Sequence, residues 1–96
     1  MASIRNIKKF VIFQTNELLD DCRLTLWFNP SIEQEMIVDI MLKAVDLRTE
    51  LFDMINNPAE KDNRKLLKKH YQQVNTKLYV ELDKLFEELS AIFKNI

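Results

Sequence analysis

His70 and Cys22 are the single histidine and the single cysteine of this 96-residue chain. His70 stands in Lys68-Lys69-His70-Tyr71. A histidine exposed on a helix is the phospho-acceptor of phosphotransfer bundles. Those bundles carry a small residue, often glycine, just after the histidine so that a partner can approach. Here Gln73 and Val74 occupy that region and glycine is absent from the chain. The pattern favours a solvated or interface histidine. Cys22 follows Asp20-Asp21. A nucleophilic thiolate needs a nearby cation or base, whereas neighbouring carboxylates raise the thiol pKa. A packed core thiol is the better reading. Serines and threonines lack a neighbouring histidine. No Glu-x-x-His pair and no calcium-loop pattern occurs, so neither a metal nor a cofactor is expected. Carboxylate pairs such as Glu87-Glu88 read as solvated helix surface. The expectation is a protein without catalytic residues of its own.

The elements carrying these residues follow from composition. Hydrophobic residues make up 47% and charged residues 30%, which places the chain among globular proteins. Glycine is zero and proline two. Tight hairpins and phosphate loops need positive φ, which glycine supplies, so both are disfavoured. A lone cysteine rules out an intramolecular disulfide and fits a reducing compartment. The longest early apolar run, Phe10-Val11-Ile12-Phe13, is too short for a signal-peptide core or a membrane span. The expected location is cytoplasmic.

Two stops divide the chain into three helical segments within one domain, 1–96. At Asn29-Pro30-Ser31, either Asn29 caps the second helix with Pro30 at its first position, or Ser31 caps it with Gln34 three residues on. At Asn56-Asn57-Pro58, asparagine tolerates a left-handed helix end and proline prevents continuation. Helices are predicted near 3–28, 31–55 and 62–94. In the first, Ile4, Ile7, Val11, Leu18 and Cys22 share a stripe. Ile12, Leu19 and Leu26 flank it on one side, and Phe10, Phe13, Leu24 and Phe28 on the other. Alternation over Arg23–Phe28 would also suit a strand, but a strand there has no partner. The second carries Ile37, Ile40, Met41, Ala44, Leu47, Leu51, Met54 and Ile55 on one face. The third runs Leu67, Tyr71, Val74, Leu78, Leu82, Leu85, Leu89 and Ile92, a heptad with one stutter. At ~1.5 Å per residue it would be about 50 Å long unless it kinks. The methionines sit on helical stripes and read as core. Short connections between long amphipathic helices imply an all-α, up-down-up antiparallel three-helix bundle.

In that topology the first and third helices start at the same end. Arg5, Lys8 and Lys9 then meet Lys61, Arg64, Lys65, Lys68 and Lys69, followed by His70. Glu17, Asp20, Asp21, Glu33, Glu35, Glu81, Asp83, Glu87 and Glu88 collect at the other pole, although net charge is only −1. Cations at helix N-termini oppose the macrodipole by about 0.3–1 kcal/mol each. The pattern is either a functional basic surface or a bundle end neutralised by Asp46, Glu50 and Asp53.

Apolar residues exceed what one bundle core can face. Phe10, Phe13, Leu24, Trp27, Tyr79, Phe86 and Phe93 are the candidates for a self-association surface, with the bundle dimerising into a larger one. Trp27-Phe28 reads either as an exposed anchor or as a plug at the bundle end.

The residues Asp21-Cys22, Asn29-Pro30, Ala44-Val45-Asp46-Leu47-Arg48, Asn56-Asn57-Pro58 and Lys69-His70-Tyr71 resemble a family of small helical proteins of unknown function from Bacteroidota-type bacteria. The resemblance implies a bacterial cytoplasmic protein and brings no activity, ligand or catalytic residue. The leading functional expectation is a self-associating protein-interaction module. The runner-up is a binder of nucleic acid or another anionic surface through Arg5, Lys8, Lys9, Arg64, Lys65, Lys68 and Lys69, with salt-dependent affinity. A small enzyme or phosphotransfer domain comes third.

Overall fold

The structure, a computed structural model, describes residues 4–29, 34–58 and 63–94, less the Phe93 side chain. Three helices account for almost all of them: α1 Ile4–Phe28, α2 Gln34–Asn56 and α3 Arg64–Lys94. The described residues contain no strand, and Arg23–Phe28 completes α1. All three helix pairs touch, which makes an up-down-up three-helix bundle. Of the pairs, α1 and α3 share the least contact.

The helix ends are settled by asparagine, in ways the sequence showed only in part. The Asn63 side-chain oxygen accepts from the backbone N–H groups of Lys65 and Leu66, at 3.1 and 3.2 Å. Asn63 is therefore the N-cap of α3, satisfying two otherwise orphan donors. No described residue takes positive φ, so the left-handed asparagine expected at the end of α2 is absent. Asn29 turns its amide back onto the Thr25 carbonyl, 3.2 Å. Asn57 does the same to the Asp53 carbonyl, 3.0 Å, and to its carboxylate, 3.1 Å. Pro30 and Ser31, which carry the alternatives for the start of α2, lie outside the described residues.

The core is the predicted stripe set. Val11, Leu18, Cys22, Ile37, Ala44, Leu51, Ile55, Val74 and Leu78 are fully buried. The stutter is absorbed without a break, since Leu78 and Leu82 are both buried within a continuous α3. Three expectations are corrected. Ile4 is 48% exposed, because it lies where the bundle opens around Ile55, Pro58, Leu67 and Tyr71. Met36, in the first turn of α2, is also exposed rather than core. Trp27 and Phe28, at 81% and 72% exposed, do not plug the bundle end.

The molecule is a rod of 53 × 19 × 18 Å. Its radius of gyration, 15.7 Å, exceeds the roughly 12.5 Å of a compact chain this long. A rod has more surface to cover: 6865 Å² is exposed, against about 5800 Å² for a typical monomer of this mass.

Candidate interaction surfaces

Side-chain polar contacts join α2 to both neighbours. The Thr15 hydroxyl is buried and donates to the Val11 carbonyl at 2.8 Å. It accepts from Arg48 of α2 through Nε at 2.9 Å and a terminal nitrogen at 2.7 Å. The same guanidinium reaches Asn16, 2.6 Å. This charge-assisted link fixes the register of α1 on α2. It was legible in principle: Thr15 fills the four-three gap between Val11 and Leu18 on the core stripe, and a hydroxyl there requires partners. Thr25 fills the next gap in the same way, donating to the Asp21 carbonyl at 2.7 Å.

On the other side of α2, Lys43 pairs with Asp39 at 3.2 Å and with Glu88 of α3 at 3.3 Å. Asp39 and then Glu88 hold its ammonium above the ordinary lysine range. Lys77 pairs with Glu50. His70 places Nε2 2.6 Å from the Met54 carbonyl, among the last carbonyls of α2. A carbonyl only accepts, so Nε2 carries the hydrogen and is engaged within the chain. His70 is thus a strap from α3 onto the C-terminus of α2, with Tyr71 edge-on beside it.

Cys22 is fully buried and its thiol is pushed up to about 11, first by burial, then by Asp21, with Arg23 opposing. Such a thiol is a poor nucleophile at neutral pH. Among the described residues no group of three or more His, Cys, Asp or Glu side chains converges as a metal would require.

Two surfaces remain. The first is the seam between α1 and α3. Phe10 meets Tyr79 edge-to-face with ring centroids 6.0 Å apart. Toward the C-terminal ends the seam widens into a groove of about 360 Å³, lined by Leu24, Phe28, Phe86 and Leu89 with Asp21 and Ser90 at its edge. Phe13, Leu24 and Tyr79 are each half or more exposed. Phe10 and Phe86 are half-buried and already packed against the core, so they form the floor of the seam rather than free knobs. Trp27 stands at the C-terminal end of α1 beside Leu24 and Phe28, and the Phe93 side chain lies outside the described residues. A second apolar line was missed in the sequence. Val38, Leu42 and Val45 are exposed on the outer side of α2, with Phe52 half-buried below them. Their 4-3-7 spacing was visible but overshadowed by the stronger core stripe.

The second surface is the basic pole. Ile4, Pro58 and Leu67 line one cavity, which brings the start of α1, the end of α2 and the start of α3 together. Arg5, Lys9, Arg64, Lys65, Lys68 and Lys69 are exposed there and Lys8 is half-buried. Lys61 and Glu33 lie outside the described residues. Among the described residues none of these seven cations forms an ion pair. Of the acids expected to neutralise them, Glu50 pairs with Lys77 and Asp53 accepts from the Asn57 amide, while Asp46 pairs with none of the seven among the described residues.

No described helix is long and apolar enough to cross a membrane. No protein-family model, curated protein or solved structure matches this chain.

Proposed function

We propose that the chain is a non-enzymatic interaction module that associates with itself through the α1/α3 seam. The observation that carries this reading is the apolar surface along the seam: Leu24 and Phe28 line its groove with Phe86, Tyr79 meets Phe10 edge-to-face, and Phe13 is exposed on α1 one turn from Phe10. A three-helix bundle with parallel α1 and α3 lacks a partner on that side, and further helices laid there complete a larger bundle.

The test is substitution on the seam. Leu24→Glu or Phe13→Glu is expected to convert a dimeric mass in light scattering to a monomeric one while far-ultraviolet circular dichroism keeps its helical signal. Retention of the dimer in both variants contradicts the seam as the interface.

A second reading rests on the basic pole, whose seven cations are without ion pairs among the described residues. Such a pole attracts polyanions by releasing counterions, and the binding constant then falls steeply with salt. Titrating generic duplex DNA or RNA at two salt concentrations tests it. Salt-independent or absent binding removes this reading.

A further inference from the structure

We infer that the partner on the seam is a second copy running antiparallel, its basic end against the acidic end of the first. This rests on the self-association reading above.

The seam carries a charge gradient along its length. Its stripe on α3 reads Lys65, Lys68, Gln72, Tyr79, Asp83, Phe86 and Ser90, at helical three- and four-residue steps apart from one open turn before Tyr79. Its stripe on α1 reads Phe10, Phe13, Glu17, Asp21, Leu24 and Phe28. One end is therefore cationic and the other anionic, with the Phe10–Tyr79 ring pair between them. Among the described residues Lys65, Lys68, Asp21, Asp83 and Glu87 form no ion pair, so their charge is available to a partner.

The heights match. Lys68 lies eleven residues before Tyr79, and Asp21 eleven residues after Phe10. At ~1.5 Å per residue each is about 16 Å from the ring pair. A two-fold axis across the seam at Phe10–Tyr79 sets Lys68 of one copy level with Asp21 of the other, twice. Glu87 of the opposing α3, eight residues after Tyr79, lies about 12 Å from the ring pair, within one turn of the same level. Parallel pairing stacks lysine on lysine and carboxylate on carboxylate. The exposed line on α2 lacks this property. Its neighbours on one flank, Glu35, Asp46 and Asp53, are all acidic and repel their own copies.

Charge reversal tests the register, with mass as the readout. Lys65→Glu with Lys68→Glu makes both ends of the seam acidic, and Asp21→Lys with Glu87→Lys sets lysines level with Lys65 and Lys68 of the other copy. Either pair should weaken the dimer by about a hundredfold or more, since like charges then face each other at both contacts. The fourfold variant carrying both pairs restores opposite charges and should regain the dimer, which also shows that the pairs fail by repulsion and not by misfolding. If wild type is dimeric and the pairs leave its mass unchanged, the antiparallel register is overturned and self-association stands. If wild type is monomeric, both are overturned.

Discussion

Thr15 and Arg48 show how one buried hydroxyl organises its surroundings. Thr15→Val keeps the shape but removes the acceptor of two guanidinium hydrogen bonds, leaving Arg48 with Asn16. The expected loss is about 1.5–3 kcal/mol, the range for hydrogen bonds to charged groups. In urea the midpoint should fall with an unchanged slope. Cys22 gives a prediction in pH. Its folded pKa, about 11, lies above the ordinary 9.0, so folding favours the neutral thiol. That contribution is fully present below about pH 9 and is lost as pH rises toward 11. Measured against Cys22→Ala, the wild type should lose on the order of 2 kcal/mol across that window. A flat difference between the two proteins contradicts the assignment. The packed role of Cys22 was legible, because it continues the Val11–Leu18 stripe. The role of His70 was not: its partner is a backbone carbonyl on another helix, and residue types do not announce backbone acceptors.

At the scale of elements, three helices and their core faces were legible because long apolar periodicity leaves few alternatives. What escaped lies at helix ends. Ile4 fits its stripe, yet it is exposed because a stripe reports a face and not how far along the rod that face is covered. The caps are a matter of local geometry. Asn57, where the sequence pointed to a left-handed turn, instead folds its amide back onto the Asp53 carbonyl, and Asn29 does the same to the Thr25 carbonyl. Asn63, unassigned in the sequence, caps α3. Asn63→Ala should cost about 1 kcal/mol, seen as a fall in Tm of roughly 4–8 °C for a domain this size. An unchanged Tm contradicts the cap. His70→Ala should loosen the α2 end against α3, raising amide exchange around Met54 and His70 while leaving Leu18 and Leu78 protected.

At the scale of the whole molecule, parallel α1 and α3 produce both the basic pole and the open seam. The shared pole was legible from topology and the positions of Arg5, Lys9, Lys65 and Lys68. Which apolar residues stay exposed was not: Phe10 and Phe86 are drawn into the floor of the seam while Phe13 and Leu24 remain outside. The proposed pairing lays these 53 Å rods side by side over the exposed residues of the seam. The most direct test of self-association is the mass of the wild-type chain by light scattering at about 50 µM, where a micromolar dimer is largely assembled. The expected mass is about twice the 11.5 kDa of one chain, falling toward the single-chain mass on dilution; a mass of one chain at that concentration contradicts self-association.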